Sequence, residues 1–441
     1  MSPRVTALSG YPEYLPAGRI VEQRVLDLLR ETFELHGFGS LETRSVEPLS
    51  VLAGKGEIDK EVYAVRRLHA DAETEAELGL RYDNTVPFAR YVTEFAGKLN
   101  FPLRRYQIQK VWRGERPQQG RYREFTQADI DIVGADQLAA HHDAEIPLVM
   151  LEAFGRLSDE LGLPEVTMHV ANRKLAEGYY RGLGIAEPAG VLQRVDKLDK
   201  IGSEKVAALL VDELGLDTDT AAACLRLAEI RTPDTGFVER VRALGVSHEL
   251  LDEGLAELAA VIETARAYRP GGVVADLRIA RGLDYYTGTV YETELAGHPE
   301  LGSICSGGRY DSLASDGRHS WPGVGISVGV TRLLAPLVAA GWADASRSVP
   351  TAVLVAVDDE ASRPAAIDIA GRLRARGIAT EVAPRADRFG KQIRYAERRG
   401  IPFVWFGSGE VKDIRSGEQV AADPDAWQPP AGDRRPAVRL H

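Results

Sequence analysis

Cysteine is scarce in this chain of 441 residues: only Cys224 and Cys305 occur, in unrelated surroundings that need no disulfide. That suits a reducing compartment, and a cytoplasmic location is the expectation. No apolar run approaches membrane-spanning length, and the opening MSPRVTALSGYPEYLP lacks the apolar segment of a secretory signal. A membrane partner is not expected. Positive charge is also short, with 54 Lys and Arg against 65 Asp and Glu and a net charge of -11. This argues against a generic nucleic-acid coat, although a specific RNA can still be held by local cationic patches. Internal repeats, low-complexity tracts and a Walker-type phosphate loop are all missing. The glycines of GVGISVGV lack the βαβ spacing and acidic residue of a dinucleotide fingerprint.

What is present, 44% hydrophobic and 27% charged residues, is the composition of a soluble globular protein with length for two or three domains. Val21, Val25, Leu29 and Phe33 recur every fourth residue, with Leu28 beside them, which predicts an amphipathic helix ended by His36-Gly37. Strand-like and helical pieces alternate through residues 1–171. Residues 172–270 turn almost wholly helical, as an insertion into a β-rich domain that resumes over 271–342. GWADASRSVP has linker composition, with the linker itself placed at 343–350. Residues 351–441 alternate strand with helix and predict a small α/β domain. The fold class is α+β.

Arg113 to Asp131, RGERPQQGRYREFTQADID, is the most informative segment. It reads as the end of one strand, a cationic loop and a second strand. Ala128, Ile130 and Ile132 share one face, while Phe125, Gln127, Asp129 and Asp131 share the other. Two readings fit: a hairpin with one solvated charged face, or the floor of a site for a small, charged, partly aromatic ligand. In the loop, Arg116, Arg121 and Arg123 face the single acid Glu115, a composition suited to polyphosphate or a nucleic-acid backbone. A second cationic run comprises Arg385, Arg388, Lys391, Arg394, Arg398 and Arg399, of which Lys391, Arg394 and Arg398 fall on one helical face.

Four further segments carry candidate chemistry. ARGLDYYTGTVYE presents Arg281, Tyr285 and Tyr286 among glycines, fit for a phosphate or carboxylate, or simply two buried tyrosines and a surface arginine. SGGRYDS reads as a Gly-Gly turn before Arg309. GVGISVGVTRLLAPLV is a strand running into a helix with Arg332 in its first turns, where anions are favoured. LRYDNTVPFARY sets Asp83, Asn84 and Thr85 after a short strand, fit to bind an ammonium group or to cap a helix before Pro87. His141-His142 has no ligand partner at metal spacing and is read as surface.

RGERPQQGRYREF resembles motif 2 of class II aminoacyl-tRNA synthetases, and GVGISVGVTRLL resembles motif 3. RGLDYYTGTVYE and SGGRYDSL look like the two signatures of histidyl-tRNA synthetases. The resemblance covers essentially the whole chain, its motifs in the family's order. It implies a class II antiparallel-sheet catalytic core with a helical insertion and a C-terminal α/β anticodon-binding domain. The implied activity joins L-histidine to tRNA(His) with ATP as substrate and Mg²⁺ accompanying it. No metal site of the protein's own is implied, and the expected assembly is a homodimer. In the motif 1 region Arg44 stands where the family has proline, with Pro48 later, a departure that bears on the dimer interface.

By that resemblance Arg281 and Arg113 are catalytic. Histidine is held by Asp83, Asn84, Thr85, Arg113, Gln127, Asp131, Arg281, Tyr285 and Tyr286, with Asp131 and one of the two tyrosines reading the imidazole. ATP is held by Arg113, Glu115, Arg121, Phe125 and Arg332. Transfer RNA meets Arg116 and Gln118 at its acceptor end and Lys391, Arg394 and Arg398 at its anticodon. Many relatives carry Glu where Asp83 and Asp131 stand. Two other readings remain: a histidine-sensing regulatory paralogue serving ATP phosphoribosyltransferase, and a catalytically inactive tRNA-sensing module. The first would lack the C-terminal domain, and the second would lose Arg113, Glu115 or Arg332.

Overall fold

The alternation around the cationic loop folds as two ten-residue strands, and a large sheet is built outward from them. The computed structural model describes residues 6–53, 60–69, 76–118, 120–279 and 285–440. The chain divides into two compact units, Met1–Pro12 with Leu26–Pro336, and Glu13–Val25 with Leu337–His441. In the first, the sheet strands are β1 (Gly39–Ser40), β2 (Leu103–Trp112), β3 (Glu124–Val133), β4 (Val166–Asn172), β5 (Arg231–Thr232), β6 (Val273–Asp276), β7 (Thr289–Leu295), β8 (Cys305–Tyr310) and β9 (Gly323–Gly329). Their spatial order is β1-β2-β3-β9-β8-β7-β4-β6-β5. The pairings from β2 through β4 are all antiparallel, and β1 and β6 add parallel pairs near the edges.

Both faces of the central hairpin are out of water. Ala128, Ile130 and Ile132 are fully buried on the back, but Gln127, Asp129 and Asp131 on the front are only 9%, 2% and 2% exposed. The reading as a hairpin with a solvated charged face is therefore excluded. Helix Thr85–Phe95 and Tyr310 pack with Val133 and Trp321 in one apolar cluster of this unit.

Two expectations are corrected. SGGRYDS is not a turn: Cys305 to Tyr310 form β8, in the middle of the sheet. The glycines are there for space, since a Cβ on Gly307 would stand 2.2 Å from the Gly325 carbonyl oxygen, and one on Gly308 2.8 Å from that of Thr289. His142 is not at the surface. It starts helix His142–Leu161, is 9% exposed and pairs through Nδ1 with Glu145 at 2.8 Å, while His141 is exposed.

Between β4 and β6 the chain is nearly all helix, from Arg173–Gly182 to Glu249–Tyr268, interrupted by the two residues of β5. In the second unit, Val353–Val355 (β10), Thr380–Val382 (β11), Phe403–Phe406 (β12), Glu410–Asp413 (β13) and Gln419–Ala421 (β14) form a mixed sheet ordered β11-β10-β12-β13-β14. Its core gathers Val353 to Val357, Leu373, Ile378 and Phe403 to Phe406. Within the stretch of linker composition, Ala343–Ala345 forms a short strand against Val438–Leu440. The helices Arg363–Ala375 and Phe389–Arg399 complete this unit as an α/β domain. No helix among the described residues is long and apolar enough to cross a membrane.

Gly307→Ala places its methyl against backbone, which cannot rotate away. It should destabilise the fold by about 1–3 kcal/mol, read as a lower denaturant midpoint; an unchanged midpoint would contradict the close strand approach.

Candidate functional site

The register of the sheet lays its front face out as rows of facing residues. Gln109, Gln127 and Gly329 form one row; Gln107, Asp129, Ser327, Ser306 and Glu292 form the next; Arg105, Asp131, Gly325, Gly308 and Val290 form the third. The first two rows are polar except for one glycine. In the third, the glycines make room. A Cβ on Gly325 would meet Asp131 Oδ1 at 2.1 Å, and one on Gly308 would meet the Tyr286 ring at 2.9 Å.

Two adjoining chambers open on this floor. The outer one is lined by Arg113, Glu115, Arg121, Phe125 and Arg332. The inner one, of about 210 Å³, is lined by Asp83, Thr85, Asp129, Tyr285, Tyr286 and Glu292. Arg113, Gln127, Ser306 and Ser327 belong to both walls.

In the outer chamber, Arg113 donates through Nε to the Tyr82 carbonyl at 3.0 Å and lies over the Phe125 ring, 5.1 Å from its centroid. Glu115 sits 3.4 Å from Arg121 and 3.9 Å from Arg113. Arg332, two residues into its helix, donates to the Gly120 carbonyl at 2.7 Å and the Ser303 carbonyl at 2.6 Å. Burial, then the nearby Arg113 and Arg121, lower its pKa. Three guanidiniums around one carboxylate leave a surplus of positive charge, which suits a polyanion.

The inner chamber has the opposite sign. Asp83 accepts from the Val86 backbone N–H at 3.1 Å and the Tyr285 hydroxyl at 3.0 Å, so it both caps the helix and faces the cavity. Burial raises its pKa against those two bonds. Asp129 accepts from Ser327 Oγ at 2.5 Å, and burial pushes its pKa up to about 6. Asp131 is not among the lining residues. It lies 2.6 Å from Arg105 Nη2 and accepts from the Tyr310 hydroxyl at 2.7 Å, and burial pushes its pKa up to about 7 even so. Asn84 also stays behind the wall, its Oδ1 taking Gln107 Nε2 at 3.4 Å. Gln127 Oε1 is buried with no donor among the described residues.

The structure thus brings together Asp83, Thr85, Arg113, Glu115, Arg121, Phe125, Gln127, Tyr285, Tyr286 and Arg332, and keeps Asn84 and Asp131 one layer back. Arg281 lies outside the described residues. Arg116 and Gln118 are exposed in the loop, whose tip is pinned by backbone bonds between Gln118 and Arg121. In the other unit, Lys391, Arg394 and Arg398 line a cavity of about 730 Å³ with Arg385 and Tyr395.

Sequence reasoning missed Ser306, Ser327 and Glu292, which strand register alone brings to the floor. Burial raises the pKa of Glu292 to about 7. Arg105 was also missed; alternation from Gln107 puts it on the front face. One group with metal-ligand character occurs among the described residues: His141, His142 and Glu145, with donor atoms within 4.8 Å of one another. Glu145 already accepts from His142 and from Arg104 at 2.7 Å, so its oxygens are committed.

The family model for histidyl-tRNA synthetase matches residues 10–333, and that for an anticodon binding domain matches residues 351–419. The histidine–tRNA ligase of Cutibacterium acnes is 62% identical, the match covering 99% of each chain. That of Micrococcus luteus is 59% identical over 99% of this chain and 98% of the relative. Among solved structures, histidyl-tRNA synthetase from Nostoc sp. PCC 7120 superimposes with a TM-score of 0.82 at 33% identity, covering 94% of this chain and 96% of that one.

Asp129 and Asp131 bind protons more tightly folded than unfolded, because their folded pKa values of about 6 and about 7 exceed the ordinary 3.8. Their contribution is fully present below the ordinary carboxylate pKa and is lost as pH rises through 6 to 7. The ligand-free protein should lose stability over that window, and Asp129→Asn should flatten the loss. Denaturation midpoints measured across pH check this; an equally steep loss in the variant would contradict it.

Proposed function

From the premise that the chain belongs to the histidyl-tRNA synthetase family, we propose that it is a histidine–tRNA ligase. It activates L-histidine with ATP and passes the histidyl group to tRNA(His). The observation that carries this reading is Arg113 on the common wall of a cationic, aromatic chamber and an acidic one. Anion and cation sites that meet at one guanidinium suit ATP and an amino acid meeting at the α-phosphate.

In the first step a histidine carboxylate oxygen attacks the α-phosphorus, the bond to the bridging oxygen breaks, and pyrophosphate leaves. Arg113 binds the carboxylate and α-phosphate, holding two anions in reacting distance. Phe125 and Arg332 enclose the adenine by stacking and cation–π contact. Arg121 turns to the γ-phosphate, which frees Glu115 to accept from the adenine amino group. Arg281 balances charge developing at the α-phosphate. Asp83, Thr85 and Gln127 hold the α-ammonium, with the Gln127 carbonyl oxygen as the waiting acceptor. Tyr285 and Tyr286 close the imidazole pocket, and Asn84 and Asp131 support it from behind. In the second step a hydroxyl of the terminal adenosine attacks the histidyl carbonyl and AMP leaves.

Mg²⁺, if bound with ATP, would supply neutralisation of phosphate charge. Glu292 is the chamber carboxylate that fits it: it has no ion pair among the described residues, and a Mg²⁺ held mostly by phosphates needs only one or two such ligands. Arg116 and Gln118 receive the acceptor end, and Lys391, Arg394 and Arg398 receive the anticodon. Free, buried cysteines accord with a cytoplasmic protein, and the assembly proposed is a homodimer.

Histidine-dependent exchange of pyrophosphate into ATP is the deciding assay, and absence of exchange would refute the reading. Arg281→Ala should keep the fold but lose most adenylation, by roughly the ~100- to 1,000-fold seen when one preorganised donor is removed; near-normal exchange would refute its role. Neutralising Lys391, Arg394 and Arg398 together should reduce the salt dependence of tRNA binding by about one slope unit for each phosphate no longer neutralised. An unchanged slope would remove those residues from the RNA interface.

A further inference from the structure

Leu78–Leu80 pairs with Val46–Pro48 and Ala64–Val65 in a small sheet separate from the large one. The residues that follow it are nevertheless tied to the end of β2, and Arg81 makes the tie. Arg81 is 1% exposed. Its Nε donates to the Lys110 carbonyl at 2.9 Å, and its Nη1 donates to Gln109 Oε1 at 2.8 Å and to the Thr43 carbonyl at 2.9 Å. The guanidinium carbon lies 5.9 Å from the centroid of the Trp112 ring. Along the backbone, Arg81 N–H donates to the Ser45 carbonyl at 3.1 Å, and the Arg81 carbonyl accepts from Trp112 N–H at 3.0 Å.

The residues joined in this way stand next to two groups of the site. Trp112 precedes Arg113, whose Nε reaches back to the Tyr82 carbonyl at 3.0 Å. Tyr82 in turn precedes Asp83, which faces the inner chamber. Burial lowers the pKa of Arg81, and the charge of Asp129 is foremost among those opposing that shift. A guanidinium at such depth is strongly unfavourable unless its hydrogen bonds are made. The acceptors of three segments are therefore held where the planar fork needs them, a task for which a lysine ammonium on its flexible stem is poorly shaped.

Resting on the reading that Arg113 takes the carboxylate of histidine and Asp83 its ammonium, we infer that Arg81 is a positioning residue that fixes the distance between those two groups. In the amino acid, ammonium and carboxylate are carried by the same carbon, so their separation is set by the ligand. Arg113 and Asp83 come from different segments, and they act together on one ligand only if their own separation is held to match. Arg81 holds it by tying the residues on either side of that gap, Lys110 and Trp112 before Arg113, with its own backbone two residues before Asp83. Gln109 shares the task, since its Oε1 accepts from Arg81 and also from Gln107 Nε2 at 2.6 Å.

The test compares two ligands on the full chain: L-histidine, and L-histidinol, which keeps the ring and the ammonium but has a hydroxymethyl group in place of the carboxylate. Affinities are measured by calorimetric titration of the unaltered protein and of Arg81→Lys, which keeps the charge and loses the fork. Histidine, held at both ends, should bind the variant about 10- to 100-fold more weakly, as for loss of a hydrogen bond made by a charged group. Histidinol, held at one end, should bind with little change, so the preference for histidine falls by about tenfold or more. In pyrophosphate exchange the KM for histidine should rise further than that for ATP. A merely structural role would weaken both ligands alike and leave the preference where it was. Should Arg81→Lys not fold, Gln109→Met at a half-buried position removes one acceptor of the fork and should lower the preference about 2- to 10-fold, as for one neutral hydrogen bond. An unchanged preference in folded Arg81→Lys, or in Gln109→Met, would overturn the inference. Equal affinity for histidine and histidinol in the unaltered protein would instead refute the reading that Arg113 takes the carboxylate, and the inference with it.

Discussion

The ion pair between Arg105 and Asp131, both almost wholly out of water, is the constraint that the centre of the large sheet is arranged around. A carboxylate at that depth is tolerable only with a counter-charge and with its remaining lone pairs used. Arg105 supplies the first from one neighbouring strand, and the Tyr310 hydroxyl serves the other oxygen. The strand on the other side then has no room for a side chain beside Asp131, and there the sequence has Gly325. Next along the row, Gly308 leaves space for the Tyr286 ring. The buried ion pair thus accounts for Gly325 and Tyr310 in two other strands.

The active surface follows from strand alternation combined with that row. Once Asp131 is fixed at depth, residues two, four and six positions earlier on the same strand must lie on the same face at successive distances toward the loop. Asp129 comes next, then Gln127, then Phe125. Polarity falls along the strand from paired charge to single carboxylate to amide to aromatic ring. No loop has to be placed with accuracy to achieve this ordering, because the hydrogen-bond ladder sets the spacing.

The sequence is legible where a period is at work. The hairpin, the helix from Pro16, the strand-to-helix passage into Arg332 and the α/β character of the last hundred residues all follow from spacing. It is illegible where a residue's meaning depends on a neighbour from another strand. Gly307-Gly308 looks like a turn until Gly325 and Tyr286 are known to lie against it. The family resemblance points to Asp131 rather than Asp129, yet only the positions of Arg105 and Tyr310 reveal that its oxygens are already engaged. Ser306, Ser327 and Glu292 are ordinary polar residues in three separate segments, and only the register makes them one row. His142 reads as a surface residue because nothing local announces its ion pair with Glu145.

The two chambers carry opposite surplus charge, and on the proposed reading that opposition orients the substrates. A protein that only sensed histidine would need the acidic chamber and would gain nothing from burying Arg332 beside Arg113 and Arg121, an arrangement that lowers the pKa of Arg332 and is unfavourable without an anion. An amino acid entering between the two fields has its ammonium and basic ring drawn inward and its carboxylate drawn toward Arg113. A nucleotide's phosphates are drawn to the other side of the same guanidinium. The carboxylate and the α-phosphate, two anions that repel in water, are thereby brought to one cation by fields already in place before either binds. On the proposed reading, such preorganisation is the protein's main contribution to the first step, since its electrostatic arrangement is made during folding and not during reaction.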